Sequence, residues 1–162
     1  KKPSYRWPVK EIYETIKKRE PQCQVGINWS IGQDVNPNDP NAPKKSFNIK
    51  PEEQKDGDPI RYFPSDFRLG DPLLPANPDP KVFTHQGKRY YMPFESTVCI
   101  SKRWFYHTTD MEYKSADELE TLYRRATAQD NILILNTPPN REGKIRPEDV
   151  NLLIELKERI KK

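Results

Sequence analysis

Glu95 stands inside YYMPFESTVCISKRWFYH, Tyr90 to His107, a run that otherwise reads as a buried strand and ends in three aromatic residues before its histidine. Burying a charged carboxylate costs several kcal/mol unless it is paired, so an ordinary strand would not carry one. A carboxylate beside aromatic rings suits the binding and cleavage of sugars, where rings stack on the apolar sugar face and carboxylates move protons. The competing reading is an edge-strand glutamate that faces water or pairs with an arginine. His85 and His107 are the only histidines. Neither has a carboxylate, Ser or Cys at motif spacing, so a hydrolase triad has no support. The sequence shows no metal-ligand cluster and no glycine-rich phosphate loop, so no cofactor is expected. Cys23 and Cys99 fit no zinc spacing and read as buried thiols, paired or free.

Around this run the chain must supply elements that hold it. The first is a helix near Pro8, a residue suited to the first helical position. Val9, Ile12, Tyr13 and Ile16 recur at helical spacing, and Lys17, Lys18, Arg19 and Pro21 close the stripe. CQVGINWSI, from Cys23, reads as a short buried strand. Gln33 to Lys88 shows no sustained period and holds ten of the 17 prolines. A connection of that length is usually functional or disordered. Its second half carries Tyr62, Phe63, Phe67, Leu69, Leu73 and Leu74, enough apolar surface to predict an ordered excursion.

Tyr90 to Ile100 then reads as a strand and Arg103 to His107 as a second short one. Ser115 and Glu118 form a capping box, followed by the helical stripe Leu119, Leu122, Tyr123 and Ala126. Asn131 to Asn136, NILILN, reads as a strand buried on both faces. TPPNREGKI is turn-rich. Pro147 opens a last helix with Val150, Leu153, Ile154 and Ile160 inward. Alternating strands and helices predict an α/β fold with a parallel sheet.

The chain has 162 residues, 28 basic against 24 acidic, for a net charge of +4, and its mean hydropathy is −1.01. The basic residues form no patch, and the closing KERIKK suits a helix C-terminus. No nucleic-acid module is present, and no apolar run is long enough to span a bilayer. Neither nucleic acid nor membrane is expected as a partner.

Three places, taken in order, resemble the retaining α-L-fucosidase family of glycoside hydrolases. Phe94-Glu95 followed by Trp104-Phe105-Tyr106 resembles the family's Trp-Glu and Trp-Gly-Tyr or Phe-Gly-Tyr. NILILNTPPNREGKI resembles its Asn-x-Leu-Leu-Asn-x-x-Pro-x-x-x-Gly-x-Ile segment on the last barrel strand. YKSADEL, from Tyr113, resembles the start of the helix between them, and PEDVNLLIELKERI fits the helix that follows. The resemblance is good from Tyr90 onward, looser over Trp7 to Gly32 and poor in the proline-rich excursion. Phe94, Phe105 and Thr137-Pro138-Pro139 depart from the family pattern.

The resemblance implies part of a (β/α)₈ TIM-barrel-like catalytic domain, its second half with a long proline-rich insertion over 33–88, and a fucosylated glycan as substrate. Retaining chemistry needs two carboxylates about 5 Å apart. The family nucleophile, an aspartate in a Trp-Phe-Asp-Gly strand end, has no counterpart here and is expected upstream of Lys1. A full barrel takes about 250 residues, so the chain is read as a fragment that is inactive by itself. Two acids compete for the acid/base role. Glu95 lies in the recognisable motif, and Asp66 in YFPSDF resembles a loop acid of many relatives; the alternative for Asp66 is a turn-forming aspartate. The resemblance makes Trp104, Trp29 and Tyr106 the sugar-binding aromatics, with Trp104 an apolar wall against the sugar methyl group; packing roles are the alternative. A half-barrel would expose strand edges and self-associate through them. The competing readings are a non-catalytic carbohydrate-binding or interaction domain derived from that fold, and a glycosidase of another specificity.

Overall fold

The computed structural model describes residues 7–35, 40–41, 43–69, 75, 77–109 and 112–161. Leu73 and Leu74, counted above among the packing residues of the excursion, lie outside them, as does much of NPNDPNAP. The described residues fall into two compact units, one reaching to Phe94 and the other running from Glu95.

In the first unit α1 spans Val9–Arg19, with Pro8 as its N-cap rather than its first helical residue. Its apolar stripe is half packed: Ile12 is exposed, and none of its residues is buried. The run from Cys23 forms only a three-residue strand, β1 (Gly26–Asn28), and Cys23 itself is exposed, not buried as the sequence suggests. Locally, Pro21 and Gln22 form a turn, and Cys23 follows it in coil before the strand begins at Gly26. β2 (Gly32–Gln33) and β3 (Phe47–Asn48) form an antiparallel ribbon. β4 (Phe67–Leu69) pairs in parallel with β1, placing Gly26 opposite Phe67. A Cβ at Gly26 would come within 2.2 Å of the Phe67 ring, so the glycine makes room for the aromatic.

β5 (Val82–His85) and β6 (Lys88–Tyr91) form a hairpin. Its central residues Gln86 and Gly87 have φ of 50° and 75°, the left-handed pair that a tight twisted turn requires. Thus the excursion is ordered in its described parts. Ile60 and Phe83 from it join Ile31 and Met92, which flank it, in a buried apolar cluster, with Ile49, Phe63 and Tyr90 packed against them.

Arg68 on β4 is also buried, at 1% exposure. Its Nε donates to Met92 O at 3.0 Å, Nη1 to Gln54 Oε1 at 2.7 Å, and Nη2 to Asp79 Oδ1 at 2.8 Å and Pro80 O at 2.6 Å. Phe83 and Phe94 cover its guanidinium at 4.7 and 5.2 Å. Lys81 also pairs with Asp79. Burial pulls the Arg68 pKa down, and Asp79 works against that shift. A buried charge survives only with its donors satisfied and an opposite charge in contact, and Arg68 has both.

The second unit is regular. β7 (Phe94–Cys99), α2 (Ala116–Thr127) and β8 (Ile132–Asn136) form a parallel strand–helix–strand unit, and α3 (Pro147–Ile160) follows. The capping box is present: Ser115 Oγ accepts from Glu118 N–H, and the Glu118 carboxylate accepts from Ser115 N–H at 2.7 Å. Ile100, Leu119 and Leu156 make the core, with Leu135, Leu152, Leu153 and Ile160 against it. The expected run from Tyr90 to Ile100 is two strands, β6 and β7, separated at Met92-Pro93, because proline has no N–H for a ladder. Arg103 to His107 is not a strand; it finds no ladder partner and runs as bends and coil. β8 is not buried on both faces. Leu135 packs on the helical side, whereas Ile134, on the opposite face by alternation, is 44% exposed.

Candidate active site

β7 and β8 end in register, Cys99 beside Asn136. In parallel α/β sheets, sites gather beyond the C-terminal strand ends. There the chain leaving β7 is pinned at both margins. Lys102 N–H donates to Glu112 O at 3.0 Å, Lys114 N–H to Ile100 O at 2.9 Å, and Lys114 Nζ to Cys99 O at 2.8 Å. Arg146 braces the same region: it pairs with the fully buried Asp149, lies 4.9 Å over the Tyr113 ring, and reaches Ser101 Oγ at 3.4 Å.

Between these ties stand Trp104, Phe105 and Tyr106. Asn136, the last residue of β8, donates from Nδ2 to Trp104 O at 2.7 Å and lies 3.6 Å from Cys99 Sγ. The opposite wall is the turn after β8. Asn140 Oδ1 accepts from the N–H groups of Glu142 and Lys144, both at 2.9 Å, and Asn140 N–H donates to Lys144 O at 2.8 Å. Trp104, Phe105, Tyr106, Asn136, Pro138, Pro139, Asn140 and Arg141 enclose a cleft of about 540 Å³. That volume holds a monosaccharide with room for part of a second sugar, and pockets of this size class bind small ligands. Asn136 was not singled out from the sequence. Its signal was there: a polar side chain ending an apolar run where a parallel strand meets its loop.

Trp29 is the first residue after β1, so it too sits at a C-terminal strand end, in the first unit. Its φ is 57°, a left-handed conformation that bulky residues avoid. Its N–H donates to Leu69 O at 2.9 Å. Beside it, Ser30 is 1% exposed, and its hydroxyl has no hydrogen-bond partner among the described residues.

The two candidate acids are placed otherwise. Glu95 is the second residue of β7, four residues before Cys99, which is about 13 Å along an extended strand. It is half-buried, and its Oε1 accepts from Thr97 Oγ1 at 3.0 Å. Asp66 immediately precedes β4 and ties α1 down. It accepts from Tyr13 Oη at 2.6 Å and Val25 N–H at 2.8 Å, and pairs with Lys17 Nζ at 2.8 Å. Burial pushes the Asp66 pKa up, but Lys17, Tyr13 and Val25 N–H outweigh it and hold the carboxyl below its ordinary range. Burial and the same carboxylate push the Tyr13 hydroxyl up. Trp104 and Tyr106 therefore share one cleft, and each candidate carboxylate lies at the N-terminal side of its strand. Among the described residues no three His, Cys, Asp or Glu side chains gather as a metal site.

A family model described as alpha-L-fucosidase matches residues 66–161, more than half of the chain. A rice (Oryza sativa subsp. japonica) protein named for alpha-L-fucosidase is 37% identical over 68 residues, covering 42% of this chain and 13% of that protein. The solved alpha-L-fucosidase isoenzyme 1 of Paenibacillus thiaminolyticus superposes with a TM-score of 0.55 at 21% identity, over 94% of this chain and 31% of that one. Alpha-L-fucosidase AlfC of Lactobacillus casei, solved with α-L-fucose product, gives a TM-score of 0.54 at 14% identity, over 96% of this chain and 35% of that one. The chain thus shares their fold along most of its length while spanning about a third of the solved enzymes.

Proposed function

Because the chain belongs to the alpha-L-fucosidase family, we propose that it is one part of the catalytic barrel of a retaining glycoside hydrolase that releases α-L-fucose from glycans. The observation that carries this reading is the aromatic cleft beyond the C-terminal ends of β7 and β8, inside the matched segment. A fucose ring offers a methyl group and an apolar face, and Trp104 and Tyr106 offer surfaces for both. Asn136 acts through the Trp104 carbonyl, fixing the backbone from which that wall projects.

Retention needs a nucleophilic carboxylate and a second carboxyl that gives and takes a proton. On this reading the nucleophile precedes Lys1 in a longer polypeptide. Asp66 fastens α1 to β4, since a carboxyl held ionised by Lys17 has no proton to donate. Glu95 is the better of the two acids, because no cation pairs with it among the described residues. Its place at the N-terminal end of β7 weighs against it, and a rescue experiment decides its role. In the polypeptide extended through the preceding strands, azide restoring the turnover lost by Glu95→Ala marks the acid/base. Loss of stability without rescue marks a strand residue.

The test of the function itself is aryl α-L-fucoside turnover by that extended polypeptide. Activity that falls through a raised KM in Trp104→Ala supports the reading, and no turnover of any aryl α-L-fucoside contradicts it. A non-catalytic glycan-binding domain is the second reading, favoured by a cleft with aromatic walls on this chain. It expects fucose binding without turnover even in the extended polypeptide.

A further inference from the structure

The only charged side chain lining the aromatic cleft among the described residues is Arg141. It is exposed, and no hydrogen bond or ion pair engages it among the described residues. The nearest carboxylate in sequence, Glu142, pairs with Lys144 at 3.0 Å. Among the described residues no carboxylate lines the cleft. The backbone that carries Arg141 is held by the three Asn140 hydrogen bonds described above, so the guanidinium projects from a fixed turn rather than a loose loop. A neutral sugar hydroxyl takes a single hydrogen bond from such a group, whereas an anion takes a charge-assisted pair, which is about twice as strong per bond. An exposed guanidinium that no side chain engages among the described residues has a planar fork of donors that matches a sulfate or carboxylate with two parallel hydrogen bonds.

We propose that Arg141 makes this cleft selective for acidic glycans, binding an anionic substituent, a sulfate ester or a uronic acid carboxylate, on the fucose or on the sugar next to it. This deepens the proposed function and rests on it. Trp104 and Tyr106 take the ring while Arg141 takes the charge, so both contacts must fall on one ligand. Asn136 supports the first of them by fixing the Trp104 backbone.

The test is equilibrium binding of three probes to the chain, wild type and Arg141→Gln, by calorimetry or saturation-transfer NMR. The probes are methyl α-L-fucoside, its sulfate ester, and a fucosylated uronic acid disaccharide. At low salt at least one acidic probe is expected to bind about tenfold tighter than the neutral one, the worth of one charge-assisted pair. The gap should narrow with added salt and close in Arg141→Gln. Arg141→Glu should reverse it, with melting temperatures unchanged because the residue is exposed. The arm that shows the gap identifies the anion. Equal affinities for all three probes, or a gap that survives Arg141→Gln, overturn the proposal. The binding arms need no turnover, so inactivity on aryl fucosides would count against the proposed function and leave this result standing.

Discussion

Arg68 and Leu119 are both closed off from solvent, at 1% and 0% exposure, and each centres one unit of the molecule. Around Arg68 the partners are Gln54, Asp79, Pro80 and Met92, brought from distant points of the chain by hydrogen bonds. Around Leu119 the partners are the apolar stripes of two helices and a strand. Among the described residues the first unit has one α-helix, a single 3-10 turn and short strands, so it buries little regular surface and relies on polar ties such as Arg68 to Asp79 and Asp66 to Tyr13. The second has periodic elements and relies on area removed from water. The aromatic cleft is built on the second unit.

The sharpest break between the two is Arg68→Met. It takes the guanidinium away from the buried Asp79, and removing one member of such a pair costs about 3–5 kcal/mol. Hydrogen exchange should show the loss in the amides of the first unit, and Arg68→Met with Asp79→Leu should recover part of it. Next comes Leu119→Ala, expected to cost about 3 kcal/mol in urea unfolding through a cavity among α2, α3 and β8, with the loss in the second unit's amides. If either variant lowers protection equally in both units, the division by kind of force is wrong.

Ser115→Ala removes one half of the capping box and should cost about 1 kcal/mol, read as a lower melting temperature. The smallest effect is in pH. The folded-state pKa of Asp66 lies below its unfolded value, so its contribution is fully present above pH of about 3.9. It is lost as pH falls through the folded pKa, when Lys17 loses its counter-ion. Asp66→Asn should flatten that acid limb of the stability curve, and an unchanged limb would show that another carboxylate carries it.

The same contrast explains what could be read in advance. The capping box, the α2 stripe and NILILN are signals within a few residues, so spacing alone located them, and the parallel pairing of β7 and β8 followed. Arg68 to Asp79 and Tyr13 to Asp66 join residues 11 and 53 positions apart, and no local period marks such pairs. The hairpin at Gln86-Gly87 was missed because glutamine seldom takes the left-handed position that Asn or Asp usually fills. Arg103 to His107 carries strand-like residues without a partner strand, so propensity misled there. In the cleft, Trp104 and Tyr106 stood out through the resemblance of their spacing after Glu95 to the family motif, and both line the wall. Asn136 was not singled out, because its role is a contact with a backbone carbonyl 32 residues away.

The most direct measurement is hydrolysis of 4-nitrophenyl α-L-fucoside by the chain alone and by the extended polypeptide of the proposed reading. If the nucleophile lies outside the chain as proposed, the chain alone shows no turnover, and the extended polypeptide shows turnover that weakens in Trp104→Ala. Hydrolysis by the isolated chain, or an extended polypeptide whose activity ignores Trp104, would contradict it.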